Sequence, residues 1–169
     1  MTESTFIRSE GELRLSNPGQ LELLRATVER GMALRTSVRG FSMAPFIRDH
    51  DVLTIAPLNG RVPRAGQVVA FTQTRTGRLA IHRVIAKVGD GWLIRGDNCP
   101  EADGLVRHEH IVGCVVRVER KGREVRLGLG AEARIIAWLQ CRAGLWRLRA
   151  CYNLARRFVA AALRRMRVL

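Results

Sequence analysis

The chain has 169 residues, of which 47% are apolar, and a formal net charge of +14. That apolar content excludes a disordered polymer, and the length suffices for one domain with a real core plus an appendage. The four cysteines (Cys99, Cys114, Cys141, Cys151) form no CxxC pair, which excludes a zinc ribbon and a disulfide-stapled miniprotein. Free, mostly buried thiols are expected, with no metal and no cofactor.

Residues 1–15 read as a loose or strand-like start. In "SNPGQLELLRATVERG" Asn17 suits a helix cap, Pro18 its first position and Gly31 its end, with Leu21, Leu24 and Val28 on one face. From Leu34 the period changes to two. Leu34, Thr36 and Val38 alternate with Arg35, Ser37 and Arg39, the pattern of a half-buried strand. "DVLTIAPL" is a second strand, with Pro57 placing its end at a sheet edge. "GQVVAFTQ" is a third, "TRTG" a turn and "RLAIHRVIAKV" a fourth. "GDG" turns the chain into "WLIRGD", and "HIVGCVVRVERKGREVRL" makes a hairpin about Lys121-Gly122.

Short strands at regular spacing after one early helix predict a mainly β fold, a compact antiparallel barrel or sandwich. The expected organisation is an N-terminal segment over 1–33, a β domain over 34–128 and a basic helical tail over 129–169. In that tail Tyr152, Ala155, Phe158, Val159, Ala162, Leu163 and Met166 share one side of a helix and Arg156, Arg157, Arg164 and Arg167 the other.

Charge is concentrated at the same end. Residues 131–169 hold nine arginines against a single acid, Glu132, so +8 of the +14 lies there. Such a tail expects an anionic partner, with a membrane surface ahead of nucleic acid. Aromatic residues are sparse and none of the usual nucleic-acid motifs is present. The first 20 residues lack the apolar core of a secretory signal. No window of about 18 uncharged apolar residues exists to span a bilayer. A cytoplasmic or peripherally membrane-associated protein is expected.

Within "RGFSMAPFIRDHDVLTI" (39–55), Ser42 lies between Gly40 and Pro45 and just before a β-branched strand. It reads as a turn residue, a phosphate contact or a nucleophile. A nucleophile needs a base and an acid that orients the base. His82 lies inside the strand "AIHRVIA", where a histidine is either packed or purposeful. His50 precedes the second strand. His108 and His110 flank Glu109 in a polar loop and make at most half a metal site. Asp97 and Asp103, in "RGDNCPEAD", follow the next strand and offer carboxylates, or turn-forming side chains.

Taken in order, "GFSMAPFIRDHDVLTI", "RAGQVVAF", "IHRVIAKVGD" and "RGDNCPEAD" resemble the signal peptidase I superfamily of serine peptidases over about residues 36–118. The resemblance implies Ser42 as nucleophile. Familiar bacterial members carry a lysine base where this chain has His82. It is therefore similar to the Ser-His-Asp subfamily of archaea, the endoplasmic reticulum and some spore-forming bacteria. Counting six residues from Asp97 of the G-D-N box makes Asp103 the orienting acid and Asp97 a structural or auxiliary one. The implied activity is a serine endopeptidase that removes a leader, signal or propeptide from a precursor protein.

This chain departs from the family in several places. Gly40 replaces a serine that assists the oxyanion in many members, and His50-Asp51 and Gly66-Gln67 replace two usual Gly-Asp pairs. No N-terminal anchor of the family's kind is expected, and with it a dedicated maturation protease is expected ahead of the general secretory enzyme. A self-cleaving regulator of the repressor-peptidase type and a non-catalytic binding module are the alternatives. The regulator uses a lysine base, and neither Lys87 nor Lys121 stands in the base position.

Overall fold

A computed structural model describes residues 6–8 and 18–141. The expected amphipathic helix over 152–169, Asn17 and Cys151 lie outside the described residues. In chain order the elements are β1 (Phe6–Arg8), α1 (Pro18–Glu29), β2 (Ala33–Ser37), β3 (Val52–Ala56), β4 (Val68–Thr72), β5 (Leu79–Val88), β6 (Gly91–Arg95), β7 (Gly104–Arg107), a 3-10 turn (His108–His110), β8 (Ile111–Arg120), β9 (Arg123–Glu124) and α2 (Glu132–Cys141).

α1 starts at Pro18 as its sequence predicts, buries Leu24 fully and stops at Gly31, whose N–H donates to the Val28 carbonyl. The strands form one sheet in the order β1-β2-β3-β8-β4-β5-β6-β7, with β9 paired to β8. Every pairing is antiparallel except β1 with β2. The mainly β architecture expected from the period-two runs is thus present, but the barrel is not. The pairing path has two ends, β1 and β7, and the sheet is open.

The reason lies in β4. A barrel strand presents one face to the interior and one to the outside. In β4 Val68 and Ala70 enter one core cluster with Leu34, Leu53 and Val118, while Val69 and Phe71 enter another with Trp92, Ile94 and Val106. A strand buried on both faces sits in the middle of a two-sided sheet. Its unbroken run Val68-Val69-Ala70-Phe71 carries that information, since a half-exposed strand would alternate.

Two finer expectations are corrected, and one strand is added that the sequence reading did not assign. Pro57 marks no sheet edge, because β3 is flanked by β2 and β8 and ends one residue earlier. The stretch 104–107 forms a strand, β7, that has only Val106 buried and so gives little periodic signal. Of the described cysteines, Cys99 and Cys114 are only partly buried and Cys141 is exposed. Burial holds the Cys114 thiol up at about 11. Among the described residues no helix is long and apolar enough to cross a membrane.

α2 lies against β5 through Ala133 and Ala137, both buried. The approach is close. A side chain at Gly66 would place its Cβ 2.7 Å from the Ala133 backbone, so glycine is required there.

Candidate active site

Three segments converge where β5 begins. The loop 38–51 follows β2 and is pinned at its far end. There Asp51, 1% exposed, accepts from Arg120 Nε (2.8 Å) and Nη2 (2.7 Å) and from the Arg48 N–H (2.7 Å). Its near end is held by the Gly40 N–H, which donates to Asp49 Oδ1 at 2.9 Å. Ser42 sits between these anchors. β5 supplies His82, and the loop between β6 and β7 supplies Asp103.

Ser42 Oγ lies 3.0 Å from His82 Nε2, and His82 Nδ1 lies 2.6 Å from Asp103 Oδ2. A carboxylate only accepts, so the Nδ1 proton points to Asp103. The lone pair on Nε2 then faces the serine hydroxyl. His82 is 8% exposed and packs at 6.0 Å from the Phe71 ring, which fixes the imidazole plane. The arrangement can chemically take a proton from a serine oxygen and hold the resulting imidazolium beside an anion.

The 95–104 loop reaches the serine because Gly96 allows it. A Cβ there would stand 2.8 Å from the Ser42 carbonyl oxygen, 2.6 Å from Cys99 Sγ and 3.1 Å from His82 Nε2. The Asn98 N–H donates to that same Ser42 carbonyl at 2.7 Å, and the Asp103 N–H to the Ile94 carbonyl at 2.9 Å. Two hydrogen bonds thus fasten the acid's loop to the nucleophile's loop and to β6. Cys99 lies within this junction. Burial, and then the nearby Asp103, push its thiol above the ordinary range.

Asp97 is elsewhere. It faces the other side of the sheet, where Arg83 Nε donates to its Oδ1 at 2.8 Å and Arg83 Nη2 to its Oδ2 at 2.6 Å. Arg83 Nη1 also donates to the Gly66 and Gly128 carbonyls, both at 2.7 Å, and the guanidinium lies 5.4 Å from the Phe46 ring centroid. Both charged groups are withdrawn from water, Arg83 at 0% and Asp97 at 2% exposure. From α2, Gln140 Nε2 donates to Asp97 Oδ1 at 2.6 Å. The structure therefore joins Ser42, His82 and Asp103 in one chain of hydrogen bonds and leaves Asp97 out of it.

The remaining histidines are also outside that chain. His50 lies against Asp49, 3.2 Å away, and Arg39. His108 packs on Trp92 at 5.7 Å, and His110 lies 3.6 Å from Glu109. Among the described residues no group of three or more His, Cys, Asp or Glu is placed to hold a metal ion.

A cleft of about 320 Å³ opens beside Ser42 and His82, with Val38, Ile47 and Ile81 among its apolar walls and Arg39 and Arg78 among its polar ones. One wall is a stretch of β5 that pairs with β4 on one edge and, among the described residues, with no strand on the other. Val84 and Arg78 exchange backbone hydrogen bonds with the β4 side, so by alternation the odd-numbered Leu79 and Ile81 turn their N–H and C=O groups away from it. β6 pairs with β5 only from Arg83 onward.

Sequence reasoning missed Gln73, whose Nε2 donates to Asp103 Oδ1 at 2.8 Å. It also missed Arg83 as the partner of Asp97. An arginine inside an apolar strand signals a buried counter-charge. No comparable signal marks Gln73. Compared with known proteins, the chain matches no family model and no curated protein.

Proposed function

We propose that the protein is a serine endopeptidase of signal-peptidase type that removes a leader, signal or propeptide from a precursor. The observation that carries this reading is the Ser42–His82–Asp103 chain, with contacts of 3.0 and 2.6 Å, at the wall of an open cleft.

In the proposed mechanism a precursor segment lies extended along the free edge at Leu79 and Ile81, adding one strand to the sheet. Ser42 Oγ attacks the scissile carbonyl carbon as His82 Nε2 takes the hydroxyl proton, and Asp103 stabilises the imidazolium. The Ser42 N–H stabilises the oxyanion. The Gly40 N–H does not, because Asp49 already holds it. The C–N bond breaks as His82 returns the proton to the leaving amine. Water, deprotonated by the same imidazole, then releases the acyl group. The fold reading goes with this function: the open, two-sided sheet is proposed to be of the signal-peptidase type. An anionic membrane surface, engaged through the arginine-rich residues after α2, is the proposed place of work.

The test compares protein N-termini in the native host between wild type and Ser42→Ala. One precursor left uncut in the variant is the expected result and names the substrate. Many uncut secreted proteins would instead indicate a general signal peptidase. Identical N-termini would overturn the reading and leave a binding module on the same scaffold.

A further inference from the structure

Asp103 has two carboxylate oxygens, and His82 occupies only Oδ2. Rotation about the last bond of an aspartate is soft, so a carboxylate held at one oxygen swings. The second oxygen, Oδ1, accepts from Gln73 Nε2 at 2.8 Å. Gln73 is itself oriented, since its Oε1 accepts from Thr76 Oγ1 at 2.9 Å, leaving the amide nitrogen as the end that meets Asp103. The hairpin tip behind it is closed by the Gln73 N–H to the Arg78 carbonyl (2.9 Å) and the Gly77 N–H to the Gln73 carbonyl (2.8 Å).

We infer that Gln73 is the positioning residue of the site: it holds Asp103 so that Oδ2 stays on His82 Nδ1 and the imidazole keeps its lone pair toward Ser42. The inference rests on the peptidase reading only for its consequence on activity. The chemistry of an amide suits the task. A lysine or arginine at this place would neutralise Asp103 and weaken its stabilisation of the imidazolium, whereas a neutral donor fixes the carboxylate and leaves its charge for His82. The half-buried Gln73–Asp103 pair also ties together two loops thirty residues apart in sequence. Arg78 and Leu79 of the same hairpin line the cleft. A peptide docked there rests on the element that holds the acid.

Two readouts on the full chain test this. The first is the rate at which a fluorophosphonate probe labels Ser42. In that reaction Oγ forms a bond to phosphorus, fluoride leaves and the serine proton passes to His82. The second is the low-field proton NMR signal of His82 Nδ1–H, assigned by its loss in His82→Ala. Gln73→Met keeps the side-chain length and removes the donor. It is expected to label about tenfold more slowly, with its thermal midpoint within a few degrees of wild type, and to lose or shift the low-field signal. Thr76→Val, which frees the Gln73 amide to turn, is expected to slow labelling about threefold and serves if Gln73→Met does not fold. Wild-type labelling rates and an unmoved low-field signal in both variants would overturn the inference and leave the peptidase reading intact. A wild type that the probe does not label would count against the peptidase reading, and the NMR signal would still decide the role of Gln73.

Discussion

His82 and Arg83 are neighbours on β5, and each is paired with an aspartate from the same loop. Their surroundings differ in nearly every other respect. His82 opens on a cleft, leans on a carboxylate at one nitrogen and offers the other to a hydroxyl. Arg83 is sealed from water, and its guanidinium donates to a carboxylate and two backbone carbonyls. The strand's alternation sends one side chain to each face. The same ingredients, a basic group on a strand and an acid on the next loop, make a site poised for proton transfer on one face and a fixed structural lock on the other. What separates them is access to water and whether a nucleophile completes the chain.

The sharpest way to break this comparison is to exchange the fates of the two acids. Asp103→Asn keeps the shape but gives His82 a partner that can donate, which favours the wrong tautomer. The proposed peptidase activity is expected to fall by about 10⁴-fold, close to the loss in Ser42→Ala, while urea unfolding moves by less than about 1 kcal/mol. Asp97→Ala should do the reverse at the level of stability. It leaves the Arg83 charge buried without its carboxylate, a loss of about 3–5 kcal/mol read as a lower urea midpoint. If Asp97→Ala proved as stable as wild type, water must reach Arg83, and the lock would not be a lock.

A double replacement sharpens the same point. Arg83→Met together with Asp97→Leu removes both charges and substitutes apolar groups of similar length. Buried pairs commonly lose as much in desolvation as they gain in attraction. The double variant is therefore expected to recover most of what Asp97→Ala loses, and to retain probe labelling of Ser42 within about threefold. A double variant as unstable as the single one would mean that the Gly66 and Gly128 carbonyls, left without Arg83, carry the larger penalty.

The sequence makes half of this comparison visible. A histidine in "AIHRVIA" stands out because histidine is unusual inside an apolar strand, whereas a serine between Gly40 and Pro45 is an ordinary turn residue until a base is found for it. The counting that selected Asp103 came from a resemblance. Nothing in local pattern separates it from Asp97, since both lie in one turn-rich loop. The separation is three-dimensional. Asp97 follows Arg95 at strand parity and shares the Arg83 face, whereas Asp103 is carried past the turn at Asp97-Asn98 to the other face. Gln73 was invisible for a similar reason, since its partner is thirty residues away and glutamine at a hairpin tip is ordinary. The barrel expectation failed because short strands with turn signals are common to open and closed sheets. The pairing path, with its ends at β1 and β7, is what tells them apart.

The smallest effect comes from the edge of the lock. Gly128, whose carbonyl receives Arg83, is held in turn by its own N–H donating to Glu132 Oε1 at 2.7 Å, and the Gly130 N–H adds a longer contact at 3.2 Å. Hydrogen bonds from the backbone of Glu132 itself and then from Gly128 hold this carboxyl below its ordinary value of 4.5. A carboxyl depressed in the folded state contributes stability above the unfolded value, and that contribution fades as pH falls through the folded one. Glu132→Gln is therefore expected to lower the thermal midpoint slightly at neutral pH. The difference from wild type should shrink as the medium is taken below pH 4.5, where the native carboxyl takes up its proton. The same variant should leave probe labelling of Ser42 unchanged, because the lock is already held by Asp97 and Gly66. A midpoint difference that stays constant down through that acid range would mean that the capping group acts through shape alone, and that its charge adds nothing to the Arg83 side of the sheet.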